Sequence, residues 1–523
     1  MRFPYRFTTI LPVMLLPTSA AVVALVLNRV IFEGLPHTED EVAFLFQATT
    51  LARGHLVAPA PPVPDAFAIP FVIVRDGMWF GKYPPGYPLV LALGVLVGYP
   101  PLVNAVAAAL SVLFVIALAH KIYDFPTGLL AATLLVASPF FLIQAASFMA
   151  HTVCLALTLL FVFSFLLTLE RPTVLRALPG ALALALLVLA RPLTALGVTL
   201  PFVFWALWRF WRVPNWRPAG LCFAAGGLLG SAALLAYNQH TTGNPLTFGY
   251  ELWWPFDRVG FGPGTGPGSG HTLESGLFNT RANLRLLEDV LFGWPGRLDL
   301  LPAALATAVA LAQLVLYPLR SWTMPRSSSV AIAWDLALAA QVASLVALHI
   351  AYWTAGQMYG PRYYFEALGA LVLLSARGIF HLVRTIRWFW HLSTLRPEFP
   401  VLGNIVGTVA LLGMITWGIF FTGFPWWQKY YGWYGILAEP ARTIAAQAPA
   451  NSVVLLPITA WTAYAPFFTR NSPLLDSPVL YARDLGPRNT EIAAAFPDRQ
   501  IYILVGDQLL PFTASSPTSG RPP

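Results

Sequence analysis

The chain has 523 residues, of which 57% are hydrophobic, 14% aromatic and only 10% charged, with a mean hydropathy of +0.65. Soluble domains hold about 45–50% apolar and about 25% charged residues, so this composition excludes an ordinary soluble enzyme and predicts an α-helical polytopic membrane protein. The net charge of +8 does not mark a nucleic-acid partner, because the basic residues sit mostly in short connections between apolar runs.

Arg2 and Arg6 precede an apolar run over 9–32 that only Asn28 and Arg29 interrupt. It is too long for a signal-peptide core and predicts an uncleaved first span. Further runs long enough to cross fall over 101–121, 126–149, 151–169, 174–191, 193–209, 218–238, 299–319, 330–354, 362–381 and 401–422. With the first, that makes about eleven spans at about 20 residues each. The apolar stretch 86–98 is too short to cross and reads as re-entrant or half-buried. With the N-terminus in the cytoplasm, alternation brings Lys121, Arg171, Arg176, Arg209, Arg212, Arg217, Arg320, Arg326, Arg384, Arg387 and Arg396 to the cytoplasmic side, as membrane insertion favours.

The expected organisation is a multi-pass cell-membrane domain over 1–424, with exterior loops at 33–85 and 239–298. A small exterior α/β domain follows over 425–512, with strand-like runs at 452–458 and 500–506, and then a disordered tail over 513–523. Cys154 and Cys222 lie in apolar runs and predict neither a disulfide nor a zinc site.

Thr38-Glu39-Asp40-Glu41 matches a capping box, and Val42, Leu45, Phe46 and Leu51 predict an amphipathic helix in the interface plane. The three acids either complement the helix dipole or form the acidic centre of a site, and Asp40 is the one the box leaves unused. In Gly81-Lys82-Tyr83-Pro84-Pro85-Gly86, the lysine is either an anchor for a lipid phosphate or a snorkelling side chain. His151, at a span end, is a structural hydrogen-bonder, or a substrate contact if it shares a face with Asp40 and Lys82. The glycine-rich run 260–270 lacks the flanking strand, the following helix and the Gly-Lys-Ser/Thr of a phosphate loop. It reads as a flexible exterior loop or lid, with His271 and Glu274 just beyond. Arg362 and Glu366 are four apart and predict an ion pair on one helix face; Arg362 also suits an anionic ligand. Tyr363 and its aromatic neighbours form an interfacial belt or a stacking surface for a sugar ring. The sequence contains no HExxH, DxD or Gly-x-Ser-x-Gly, which gives a zinc protease or serine hydrolase no support.

Asp40-Glu41, then Ala52-Arg53-Gly54, then Lys82-Tyr83-Pro84-Pro85, in that order and spacing, resemble the lipid-dependent glycosyltransferases of the GT-C fold. The likeness is strongest to the aminoarabinose-transferase and protein O-mannosyltransferase group, and Arg362-Tyr363 resembles an Arg-Tyr at a similar place there. The resemblance spans about residues 1–400, with its specific part in the first hundred. It implies a catalytic acidic pair in which Asp40 is the base beside Glu41, with Lys82 on the donor phosphate. Arg362 is a candidate second phosphate cation, and His151, Tyr83 and Tyr363 are candidate substrate contacts. The activity implied is transfer of a hexosyl, pentosyl or mannosyl-type sugar from a polyprenyl-phosphate donor to a lipid, glycan or protein hydroxyl. Transfer takes place on the exterior face, with inversion and with no cofactor, a divalent metal being left open. The chain departs from the group in two places: Tyr83 separates the lysine from Pro-Pro, and His151 stands where a second acid is common. The competing expectations are a transporter or flippase of lipid-linked saccharides and a non-catalytic glycan-assembly subunit.

Overall fold

The computed structural model describes residues 7–320, 326–393 and 399–513. Arg2, Arg6, Arg396 and positions 514–523 of the expected tail lie outside the described residues. The chain opens with α1 (Phe7–Val30) and then enters a first loop that carries α2 (Glu39–Ala52) and three short strands. These are β1 (Ala58–Pro59), β2 (Val72–Arg75) and β3 (Met78–Gly81), in the antiparallel order β1-β3-β2. A two-residue turn, Asp76-Gly77, joins β2 to β3 with positive φ at both positions, the geometry of a tight hairpin. The short α3 (Gly86–Leu96) follows, then α4 (Pro101–Ile122), α5 (Phe125–Val136), α6 (Pro139–Ala146), α7 (His151–Glu170), α8 (Val174–Ala190), α9 (Pro192–Arg212) and α10 (Arg217–Thr242). A second loop holds α11 (Gly249–Trp253) and α12 (Leu273–Val290), and α13 (Leu301–Arg320), α14 (Arg326–His349), α15 (Leu368–Ser393) and α16 (Phe399–Trp417) complete the bundle.

Nine helices among the described residues are long and apolar enough to cross a membrane, or ten if the bent pair α5–α6 is one span. The chain is a multi-pass membrane protein. The fifth expected span, 174–191, is the shorter apolar helix α8, and 86–98 is the 11-residue α3. The expected single run 126–149 is two helices bent by 61°. Ala137 ends the first and Ser138 caps the second, its hydroxyl accepting from the Phe141 amide at 3.2 Å, and Pro139, lacking an N–H, occupies the first turn of α6.

Helix ends sort into two sets. At one end of the bundle Lys121 and Arg176 meet Glu170 at 3.1 and 3.7 Å, and Arg209 reaches the Leu169 carbonyl. At the other end lie the start of α7, the end of α8, the end of α14 and the 3₁₀ turn Arg362–Ala367 that leads into α15. Both long loops emerge at this second end.

The segment after α16 continues through α17 (Phe424–Gln428) to α18 (Ala438–Gln447), β4 (Ser452–Leu456), α19 (Trp461–Phe468), β5 (Val479–Arg483), α20 (Asn489–Ala495), β6 (Gln500–Val505) and β7 (Gln508–Pro511). The strand order is β5-β4-β6-β7, with β4 parallel to both neighbours and β7 antiparallel to β6. All five residues of β4 are buried, which is why it reads as a continuous apolar run. This unit packs on the first loop. The Trp79 ring lies 4.6 Å from Phe46 and 5.9 Å from Phe468, and Phe67 meets Phe496 at 6.1 Å. Ion pairs Arg53–Asp476 at 2.9 Å and Arg488–Asp65 at 2.8 Å rim the contact. Both are exposed and contribute little; the buried rings carry the contact.

Helices α8 and α10 pack backbone to backbone. A Cβ on Gly226 would lie 2.2 Å from the Ala181 carbonyl oxygen, and one on Gly230 2.5 Å from that of Ala185, a small-residue seam. Gly227, one position away, has ordinary room. Gly226→Val is therefore expected to lower the thermal midpoint of the purified protein, at about 1–3 kcal/mol of overpacking, whereas Gly227→Ala leaves it unchanged. Equal midpoints for both variants would refute the seam.

Candidate functional site

Thr38 starts α2, its hydroxyl accepting from the Glu41 amide at 3.3 Å while the Glu41 carboxylate accepts from the Thr38 amide at 3.0 Å. This is the expected capping box. Successive helix positions diverge by about 100°, so the acids face different ways. Glu41 turns inward and is fully buried. Its Oε2 also accepts from the His37 amide at 2.8 Å and the Tyr359 hydroxyl at 2.8 Å, and its Oε1 from the Phe148 amide at 2.7 Å. Burial raises its pKa above the ordinary value, and these donors reduce that shift. The expected interface helix is enclosed on most sides: Val42, Phe44, Phe46 and Ala48 are all buried, because the first-loop sheet and the C-terminal unit cover the face meant for lipid.

Asp40 turns toward a cavity of about 770 Å³. Its Oδ1 accepts from the Tyr83 hydroxyl at 2.6 Å and pairs with Arg362 Nη1 at 3.1 Å. Burial alone pushes its carboxyl up, but the Arg362 guanidinium, then Lys82 and the Tyr83 hydroxyl, reverse this and hold it below the usual carboxylate range. Arg362 does not pair with Glu366. The segment Arg362–Ala367 is a 3₁₀ turn, and at three residues per turn positions four apart no longer share a face. Glu366 instead meets His151 Nδ1 at 3.1 Å and Arg191 Nε at 3.4 Å.

Lys82, only 4% exposed, sits in an aromatic box. Its Nζ lies 3.3 Å from the centre of the Phe71 ring and 4.5 Å from that of Trp254, with Tyr83 and Tyr250 farther out. Asp257 stands 3.9 Å away and is itself fixed by the Tyr352 hydroxyl and Trp353 Nε1, both at 2.8 Å. Burial brings the lysine down to about 8, while Asp40 and Asp257 oppose the shift. The glycine-rich run helps to hold this wall. It is a folded turn rather than an open lid: Gly262 bridges His271, Val259 bridges Tyr352, and a Cβ on Gly266 would lie 2.9 Å from Trp353 Cβ. A helix does follow it, since α12 starts at Leu273.

Asp40, Lys82, Tyr83, His151, Arg362 and Tyr363 all line the one cavity, and Glu41 does not. Tyr363 stacks on His349 at 5.2 Å, with the guanidinium of Arg362 at 5.4 Å. The residues that motif reading passed over are Arg191, Tyr250, Trp254 and Asp257, which line it as well, as does Glu39 of the acidic cluster. No short motif marks Asp257 or Trp254; they arrive from a loop whose fold the sequence leaves open. Among the described residues no group of three or more His, Cys, Asp or Glu side chains is set to hold a metal ion.

The structure has the fold of crystallised GT-C proteins. ArnT from Cupriavidus metallidurans in the apo state superposes with a TM-score of 0.53 at 14% identity, covering 90% of this chain and 85% of that one. The same protein bound to undecaprenyl phosphate gives 0.50 at 13%, covering 94% and 89%. The apo oligosaccharyltransferase of Archaeoglobus fulgidus gives 0.48 at 12%, covering 89% and 64%. A family model for a domain of unknown function, DUF7846, matches residues 452–521. No curated protein matches the chain in sequence.

Replacing Glu41 by Ala leaves three buried amides and a tyrosine hydroxyl unpaired, at about 1–3 kcal/mol each. Glu41→Ala is therefore expected to fail in folding or to melt well below wild type by light-scattering thermal denaturation. An unshifted midpoint would show that Glu41 does not join these segments.

Proposed function

We propose that this chain is an integral-membrane glycosyltransferase that moves a sugar from a polyprenyl-phosphate donor to an acceptor hydroxyl on a lipid, glycan or protein. The single observation that carries this reading is the meeting of Asp40, Arg362 and Lys82 in one cavity, with Arg362 on Asp40 at 3.1 Å. ArnT, whose fold this chain shares, has been crystallised with undecaprenyl phosphate, the chemical class of such a donor's leaving group.

Asp40 takes the proton of the acceptor hydroxyl as its oxygen bonds to the anomeric carbon. The bond from that carbon to the phosphate oxygen breaks in the same displacement, which inverts the centre. Polyprenyl phosphate leaves as an anion that Lys82 and Arg362 stabilise. Arg362 has two claims on it: drawn toward the phosphate it relaxes its hold on Asp40, whose basicity then rises. Glu41 acts as a positioning residue rather than a catalytic one, because its carboxylate is closed off by hydrogen bonds. Tyr83 orients Asp40, and Tyr363 and the neighbouring rings offer the sugar a stacking surface. The chemistry draws on protein cations, and no step is routed through a metal. We place the cavity end of the bundle outside the cell, because the opposite end carries the basic helix termini. The C-terminal unit shares that exterior side.

Asp40→Asn is expected to lower kcat by about 10²–10⁴-fold in transfer of radiolabelled sugar from a polyprenyl-phosphate donor, measured on the folded variant, whose melting midpoint also falls because Arg362 loses its paired carboxylate. Near-normal turnover would remove Asp40 as the base, and translocation of the donor without transfer would favour a flippase. Lys82 supplies a pH test. It is charged below about 8 and neutral above, so kcat/KM is expected to fall as pH rises past that value. Lys82→Arg, which stays charged, should keep its own kcat/KM level through the same range; an unchanged fall in that variant would assign the titration elsewhere.

A further inference from the structure

The cavity contains a cation, Arg191, that the proposed transfer leaves unused. It stands between α8 and α9, lines the cavity, and is held at two of its three nitrogens. Its Nε lies 3.4 Å from Glu366 Oε1 and donates to Thr194 Oγ1 at 3.2 Å, and its Nη1 lies 3.3 Å from His151 Nε2. A guanidinium has donors and no acceptor, so His151 Nε2 must accept from it. The imidazole proton therefore sits on Nδ1 and is donated to Glu366 at 3.1 Å. The tautomer of His151 is thus fixed by its neighbours, and the histidine is neutral. Glu366, fully buried, neutralises the arginine from beside Nε, and Nη2 donates a hydrogen bond to no described residue.

The surroundings of that free nitrogen suit an anion. The first turn of α9, Pro192 to Thr194, also lines the cavity, and no side chain caps it. Its unpaired amides and the helix dipole add positive potential beside the guanidinium. The other three cations are differently placed: Arg362 is bound to Asp40, Lys82 faces Asp257, and Arg258 meets Glu251 at 2.6 Å.

We propose that Arg191 binds the donor's phosphate through its free Nη2, as an attachment point additional to Lys82, and that His151 and Glu366 are positioning residues that hold its guanidinium in place. This rests on the lipid-phosphate reading of the cavity. It gives His151 a defined task as an acceptor for arginine, which a carboxylate at that position would perform with an added charge.

The test compares binding of undecaprenyl phosphate and of undecaprenol to the purified full-length protein in detergent, followed by quenching of its 18 tryptophans. Wild type is expected to prefer the phosphate. Arg191→Gln should weaken that ligand by about tenfold, the size of one charge-assisted hydrogen bond, and leave undecaprenol binding unchanged. Arg191→Lys keeps the ion pair with Glu366 if the glutamine variant does not fold, and should still lose phosphate preference because it lacks the fork. His151→Gln, whose amide oxygen can accept from Nη1, should retain the preference, and His151→Leu should lose it. Wild-type preference in both Arg191 variants, with Lys82→Met impaired, would overturn the proposal while the donor reading stands. Equal loss of both lipids in the Arg191 variants would make the residue structural and overturn it too. A wild-type protein that does not distinguish the two lipids would instead refute the donor reading itself.

Discussion

A buried carboxylate holds this site together. Glu41 lies in the second position after the start of α2, yet it accepts hydrogen bonds from the segment before the helix, from the turn before α7 and from the turn before α15. Those segments deliver Asp40, His151 and Arg362 respectively. An unpaired carboxylate in such a place is expensive, and four donors aimed at it are what make it tolerable. Because these donors come from three different stretches of chain, satisfying one charge fixes the relative positions of several catalytic candidates. The rigidity of Asp40 follows from its neighbour.

The cavity concentrates charge without net excess. Arg362 pairs with Asp40, Lys82 faces Asp257, Arg191 meets Glu366, and Arg258 meets Glu251 at 2.6 Å. Ions removed from water are held more cheaply in pairs than alone. On the proposed chemistry an incoming phosphate competes for partners already in place, so binding is an exchange rather than the filling of a bare positive pit. The aromatic box around Lys82 serves the same end: it keeps water off the ammonium, brings its titration to about 8 and leaves it a point charge at fixed depth.

Much of this was legible in the chain, and the limits have physical causes. Spans were readable because lipid demands about 20 apolar residues whatever the fold, although Pro139 splits one run in two. Asp40, Lys82 and Arg362 stood out because charge is rare here. Their partners did not. Arg362 has a carboxylate four residues away and takes one 322 positions distant, since a 3₁₀ turn rotates the local candidate off its face. Asp76-Gly77 is a hairpin signal that went unread between apolar stretches, and β5 was hidden in a stretch that looked polar. Asp257 and Trp254 reach Lys82 by loop folding alone, which no periodicity encodes.

The contact between the first loop and the C-terminal unit bears on how the molecule is made. Arg53 to Asp476 and Asp65 to Arg488 are each separated by 423 positions, and the rings of Trp79 and Phe468 close the same long circuit. Translation proceeds from the N-terminus at about 5–20 residues per second, so the loop carrying Asp40 and Lys82 waits through the synthesis of a long stretch of intervening chain for the surface that covers it. Helices can enter the bilayer one after another, but this part of the site is finished only after Phe468, Asp476, Arg488 and Phe496 have left the ribosome. A nascent chain stopped short of them would be inserted in the membrane with that loop uncovered, and assembly would precede competence by design of the chain's order.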